Sequence, residues 1–510
     1  MKKQHPLVLF ALILLLNACA VGPDYVRPVA TVPLKFKEAK GKAFILPKKE
    51  GWKTAEPRDG FDRGDWWKIF HDPDLNALEA QLNGCNQTIA NALANYMQSR
   101  AIVNQARSGF FPSLFGIYNM QRQKQGGGST LITTTTPTGT STGSATTGVV
   151  GSGKVPTRSS YSDILNAIWE PDIWGLVRRT VEADSSLAQS NQALLDMTRL
   201  STQGSLAQYY FELLALDRDQ DLLNKTTISY QEALQFTINQ YRSGVAERAD
   251  VVQAQSQLEV AKAQAINNGI LRGQYEHAIA VLIGRPPAEF TMPFKPLKAT
   301  PPVIPVNIPS AWLERRPDVA QAERLMQQTN AQIGIALMAY YPTLNLSATG
   351  SGGGISLPQL IKDPIIGWAL GLQLAQIIFD GGLRNATISA AKSGYLAAVA
   401  NYRQTILAAF QNVEDNLVAL RLLEKEGIQQ NKAAASAAKA LKLVMNQYKA
   451  GTVAYASVIT SQIAAYSAQK NAYDVLGLQM TTAAGLVKAL GGGWCISDID
   501  FALINPGQHS

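Results

Sequence analysis

One position near the start of this chain is marked for covalent chemistry. Met1-Lys2-Lys3 gives a short basic region, Leu7 to Leu16 an apolar run, and Asn17-Ala18-Cys19 a small-residue ending. The run is too short to span a bilayer, so residues 1–18 read as a secretory signal peptide. A cysteine directly after the small residue resembles a lipobox. It predicts that cleavage leaves Cys19 as a diacylated mature N-terminus, and two acyl chains suffice for stable anchoring. Ala20 follows, not the Asp associated with inner-membrane retention, which points to an outer membrane. The competing reading is an ordinary signal peptide beside an incidental cysteine.

The other reactive side chains do not converge. His5, His71, His277 and His509 are scattered without metal-ligand spacing. Cys85 and Cys495 either form one bridge in an oxidising compartment or pack as small inert side chains. Gly148-Val149-Val150-Gly151-Ser152-Gly153-Lys154 matches the start of a phosphate-binding loop. Val155, however, stands where Ser or Thr would ligate magnesium, and no buried strand precedes the segment. The sequence therefore predicts no enzyme, no metal and no cofactor. Its formal net charge of +8 is interleaved with acids and forms no block suited to nucleic acid.

The remaining charges gain meaning from where they fall in a repeat. At an offset of 207 positions Gly175-Leu176 matches Gly382-Leu383, and Tyr241-Arg242-Ser243-Gly244 matches Tyr448-Lys449-Ala450-Gly451. Val251-Val252 meets Val458-Ile459, Gln255 meets Gln462, and Ile283-Gly284 meets Leu490-Gly491. At an offset of 230, Phe111-Pro112-Ser113-Leu114 matches Tyr341-Pro342-Thr343-Leu344; the extra 23 or so residues of the first copy fall in a Gly/Ser/Thr stretch. Such a chain is one architecture built from two equivalent halves.

Each half predicts a long helical hairpin. Leu176 to Tyr241 and Leu383 to Tyr448 run some 66 residues without proline, about 100 Å of helix at 1.5 Å per residue. After the Tyr-x-x-Gly turn a return helix of about 38 residues reaches Gly284 or Gly491, about 57 Å. Helices this long and this rich in Ala, Gln, Ser and Leu suit a coiled coil, in which alanine permits close approach.

Each half also carries two segments of period-two patterning, at about 111–121 and 159–170, and at about 341–350 and 366–377. Trp368, Leu370, Leu372 and Leu374 share one face, with Ala369, Gly371, Gln373 and Ala375 on the other. Leu114, Gly116, Tyr118 and Met120 do likewise, as do Tyr161, Asp163, Leu165 and Ala167. The pattern fits a lipid-facing barrel strand or a soluble hairpin packed on a core. Gly126 to Gly153 and Gly350 to Gly354 read as the loops between paired strands. Four strands leave open edges that lipid does not tolerate, so membrane insertion would require the chain to oligomerise, and a trimer would close a twelve-stranded barrel.

The expected organisation is a signal peptide at 1–18, a lipidated N-terminal extension and equatorial segment at 19–75, and a first repeat at 76–287 with its tip turn at 241–250. A linker at 288–310, a second repeat at 311–494 with its tip turn at 448–457, and a C-terminal tail at 495–510 complete it. The fold class is mainly α with transmembrane β.

These pieces carry a resemblance. Cys19-Ala20-Val21-Gly22-Pro23-Asp24-Tyr25, Asp65-Trp66-Trp67, Glu314-Arg315-Arg316-Pro317-Asp318, Tyr340-Tyr341-Pro342, the paired Tyr-x-x-Gly turns and Leu490-Gly491-Gly492-Gly493-Trp494 occur in order. Together they resemble the TolC-like outer-membrane efflux channels, in particular the NodT-type lipoproteins of tripartite pumps, over nearly the whole mature chain. The resemblance implies a homotrimer with a twelve-stranded barrel and a twelve-helix periplasmic tunnel. Its implied partners are outer-membrane lipid, a periplasmic adaptor protein and an inner-membrane pump, and its implied role is small-molecule export. It makes Ser243, Gly244, Val245, Ala246, Ala450, Gly451, Thr452 and Val453 the adaptor-contacting corners. Arg242, Glu247, Arg248, Asp250 and Lys449 become gate candidates, with Asp250 first and Arg248 second. Relatives often carry an acid in the second turn where this chain has Ser457-Val458-Ile459-Thr460, so an acidic ring would rest on Asp250. The rival readings are an outlet for type I protein secretion and a non-channel coiled-coil lipoprotein.

Overall fold

The computed structural model describes residues 21–28, 33, 36–39, 44–45, 64–124, 157–305 and 316–492. The signal peptide, Cys19, the Gly126 to Gly153 loop, residues 306–315, Cys495 and the 495–510 tail lie outside the described residues. The chain divides into two units, one holding 21–23, 104–124, 157–181 and 331–391, the other holding the remainder.

In the first unit, strands β2 (Ser113–Gln123), β3 (Arg158–Trp169), β5 (Thr343–Gly354) and β6 (Ile365–Ala375) form one antiparallel sheet in the order β2-β3-β5-β6. Strand β3 of the first half pairs with β5 of the second, Ala167 opposite Ala348, which joins the two hairpins. Strands β2 and β6 are its outer edges. Gly350 to Gly354 do not form the expected loop; they extend β5, opposite Tyr161 to Leu165. The reason is steric. A Cβ on Gly352 would fall on the Asp163 carboxylate, so glycine leaves room for the acid on the neighbouring strand. The connection to β6 is instead a short helix, Leu357–Lys362, whose N-cap Ser356 accepts from the Gln359 amide.

In the second unit a two-residue strand β1 (Phe44–Ile45) pairs in parallel with β4 (Ile304–Pro305). Helix α1 (Pro73–Cys85) leads to α2 (Gln87–Ser108). Helix α3 (Leu176–Arg242) has 67 residues and returns as α4 (Arg248–Leu282) with 35. After α5 (Pro317–Met338) and the short helix α6 named above, α7 (Leu383–Lys449) again has 67 and α8 (Tyr455–Ala489) 35. Each long helix starts 207 positions after its counterpart, as the sequence alignment requires.

The main core lies where α3 and α8 meet. Leu206, Tyr210 and Phe211 are fully buried against Met480, Ala483 and Val487, with Trp66, Phe70, Leu75 and Leu82 closing over them. Burial of a Leu or Phe side chain stabilises by about 1.5–3 kcal/mol, which makes this the fixed point of the long helices. The Asp65-Trp66-Trp67 motif belongs here: Trp66 Nε1 donates to Gln203 Oε1 at 3.1 Å. So does Arg316, which donates to the Ala489 carbonyl at 2.6 Å and to Asp318, satisfying a free carbonyl at the end of α8. The linker is likewise packed: Leu297 is buried and its amide donates to the Leu214 carbonyl, while Lys295 joins Asp72 and Asp74.

Candidate functional site at the helical corners

The two corners share one backbone solution. At the first, Gly244 adopts φ +74°, its amide donates to the Tyr241 carbonyl at 2.9 Å, and the Val245 amide donates to the Gln240 carbonyl at 2.9 Å. At the second, Gly451 adopts φ +73°, with bonds from Gly451 to Tyr448 at 2.9 Å and from Thr452 to Gln447 at 3.0 Å. This is the Schellman arrangement, in which a left-handed glycine satisfies the carbonyls a helix leaves open at its end. Nothing lies within 4 Å of a Cβ built on either glycine, so backbone conformation alone demands them.

Side-chain support differs. Tyr448, Tyr455 and Val458 are buried with Ala254, and Leu234, Phe236, Met445 and Val453 pack around them. The Tyr448 and Tyr455 rings lie 5.2 Å apart and Phe236 meets Tyr448 edge-on at 5.9 Å. The hydroxyls of Tyr448 and Thr237 are 3.4 Å apart, and Thr237 is fully buried. Burial pushes Tyr455 up to about 12, and the neighbouring Tyr448 and Asp250 add to the shift. Tyr448 is raised by the same burial and by Asp250.

The expected corner residues therefore fall into two groups. Ser243, Gly244, Val245, Ala450, Gly451 and Thr452 are exposed, while Ala246 and Val453 are half-buried. Among the gate candidates Arg242, Glu247, Arg248 and Lys449 are exposed, and none of them, nor Asp250, forms a salt bridge among the described residues of this chain. Asp250 is half-buried in the first turn of α4, and its charge acts on both tyrosines of the second corner. Its influence on residues of the second half is something its place in the sequence could not show. Thr237, Tyr448 and Tyr455 are the residues that sequence reasoning missed as a unit. The available signal was the repeat itself, because Tyr455 stands where the first copy has Arg248 and a buried aromatic there announces a packed corner. A groove of about 630 Å³ adjoins it between α3, α7 and α8, lined by Tyr230, Phe236, Met445, Lys449 and Tyr466.

The sheet supplies the second candidate surface. Trp368, Leu370, Leu372 and Leu374 project from edge strand β6 with 79%, 75%, 71% and 63% of their surface exposed. In β2 every residue is exposed, Leu114, Tyr118 and Met120 among them. Among the described residues nothing covers this row of large apolar side chains on the edge strand. Among the described residues no helix is long and apolar enough to cross a membrane.

Comparison with known proteins agrees with this arrangement. A model of the outer membrane efflux protein family matches residues 78–285 and 308–492. The chain is 27% identical over 482 residues to the probable efflux pump outer membrane protein TtgC of Pseudomonas putida, covering 94% of each. It is 27% identical over 466 residues to nodulation protein T of Rhizobium leguminosarum, covering 89% of this chain and 87% of that one. Its fold matches the crystal structure of the Campylobacter jejuni CmeC outer membrane channel with a TM-score of 0.80 at 20% identity, over 96% of this chain and 98% of that one. With the family model spanning both halves, the chain belongs to the outer membrane efflux protein family.

Proposed function

We propose that this chain is the outer-membrane channel of a tripartite efflux assembly, exporting small molecules through a gated tunnel made by three copies. The observation that carries the reading is the four-stranded sheet with two free edges and an exposed apolar row on β6. In hydrocarbon an unpaired edge is not tolerated, and β6 of one copy running antiparallel to β2 of the next would close twelve strands. The 67-residue helices supply about 100 Å of reach, enough to carry a conduit through most of a periplasm. The exposed corner residues Ser243 to Val245 and Ala450 to Thr452 would meet the adaptor protein, and an inner-membrane pump would supply the energy. Asp250, with Arg248, Glu247, Arg242 and Lys449, would set the closed state of the tip. Nothing in this role requires a catalytic group or a cofactor.

The test is bilayer conductance of the purified protein, combined with its heat-sensitive oligomer mass on a gel. Stable trimers giving small, mostly closed pores that widen in Asp250→Ala support channel and gate together. Trimers whose pores ignore that change retain the channel and discard the gate residue. A non-conducting, water-soluble protein after removal of the anchor overturns the barrel.

A further inference from the structure

The groove between α3, α7 and α8 contains a side-chain amide whose oxygen bonds to nothing. Gln462 of α8 lines the groove, is only 4% exposed, and its Oε1 is buried without a hydrogen-bond partner. A buried acceptor left unmet is costly, and a ligand that brings a donor removes that cost. The repeat counterpart, Gln255, stands exposed, so the first half buries no such group at this place. Around the amide the lining suits an aromatic ring. Tyr230, Phe236 and Tyr466 contribute to it, and the Tyr230 hydroxyl is held by a hydrogen bond from Gln257 Nε2 at 3.3 Å. The charges favour an anion. Lys442 and Lys449 lie seven residues, about two helical turns, apart on α7. Both are exposed, and neither forms a salt bridge among the described residues. Lys225 is taken by Asp221 at 2.5 Å, and Glu232 supplies the carboxylate of the lining. The volume of about 630 Å³ falls within the usual range of small-ligand sites.

We infer that this groove binds an aromatic organic anion that carries an N–H or O–H donor. The ring lies among Tyr230, Phe236 and Tyr466, and the anionic group meets Lys442 and Lys449. The donor completes the Gln462 oxygen, which a turn of the amide about its last side-chain bond brings to the groove. A molecule seated there touches α3 of the first half and α7 and α8 of the second. Its occupancy therefore favours the state in which these helices are packed together. Binding of this kind is independent of whether the chain conducts.

The experiment is calorimetric titration of the detergent-solubilised full-length protein with indole-3-acetate, which combines ring, carboxylate and N–H. Two analogues isolate the groups: 1-methylindole-3-acetate lacks the donor, and tryptamine carries an ammonium in place of the carboxylate. Saturable binding of indole-3-acetate is expected. The N-methyl analogue should bind about tenfold more weakly, because the amide oxygen stays unmet. Tryptamine should also bind about tenfold more weakly, because the lysines then repel where they attracted. Gln462→Leu should erase the first difference and keep the second, and Lys442→Gln combined with Lys449→Gln should do the reverse. Since Gln462→Leu removes an unmet buried acceptor, its unfolding temperature should not fall, which separates loss of recognition from loss of fold. No binding at millimolar indole-3-acetate, or unchanged preferences in both variants, overturns the site. Equal weakening of all three probes in both variants also overturns it, by reducing the groove to packing.

Discussion

Tyr241 and Tyr448 each stand three residues before the turn glycine of their corner, yet Tyr241 is 45% exposed and Tyr448 only 6%. Their backbones are alike to within a degree of glycine φ. The difference arises one helix start later, where α8 opens with Tyr455 and α4 opens with Arg248. A buried ring at that place gives Tyr448 a partner and draws in Val458 and Ala254, whereas a charged side chain stays in solvent. The two corners thus share the turn and differ in the packing around it. One corner is pinned by an aromatic cluster and the other is held by its backbone bonds, which makes the first corner the softer element of the pair.

The strongest way to break this comparison is to empty the pinned corner. Tyr455→Ala should destabilise by about 3–5 kcal/mol, as removal of a fully buried large aromatic does. Tyr241→Ala should stay within about 0.5 kcal/mol, the usual range for exposed positions. Thermal unfolding in detergent with amide exchange at both corners measures the pair, and comparable losses would abolish the asymmetry.

Alkaline pH tests it next. The phenol of Tyr455 is raised from 10.0 to about 12 by burial, so the fold favours its neutral form. Its contribution is fully present below pH 10 and is lost as pH rises through 12, where ionisation would bury a charge. Unfolding in urea should therefore become easier across that interval, and more so than in a Tyr455→Phe variant, which has no phenol to ionise.

The turn glycines give a control in which the corners should agree. Gly244→Ala and Gly451→Ala each force a left-handed residue, which costs about 1–2 kcal/mol, and neither alanine meets an atom within 4 Å. Unequal losses would mean that packing reaches the turns themselves. The smallest effect is expected from Asp250→Asn. Removing this charge should lower the phenol pKa of Tyr448 and Tyr455, since Asp250 raises both. Ultraviolet titration of tyrosinate reads the direction, and a shift upward would place the aspartate's influence elsewhere.

Much of this architecture was legible in the chain. Proline-free runs and the 207-residue offset located the long helices to within one or two residues, because helix periodicity and breakers are local properties. The strands came out displaced by a few residues, since a strand ends where its neighbour stops pairing. Gly350 to Gly354 show why: flexible and loop-like by composition, they are strand because Tyr161 to Leu165 lie opposite, and the Asp163 carboxylate occupies the space a side chain on Gly352 would fill. At the corners the turn glycines were readable from a single tetrapeptide. The burial of Tyr448 was not, because its partners Thr237 and Phe236 come from α3, more than two hundred positions away, and Tyr455 from α8.

By itself the sequence determined the repeat, the helix lengths, the turn chemistry and the apolar faces of the strands. All of these depend on residues near one another along the chain. Tertiary structure alone decided that β3 pairs with β5, that one tyrosine of a repeated pair is buried, that the Asp250 charge acts on Tyr448 and Tyr455, and that Gly22 rests on Gly334. Each of those requires residues tens to hundreds of positions apart to meet, and their contact energies exist only once the chain has brought them within a few ångströms.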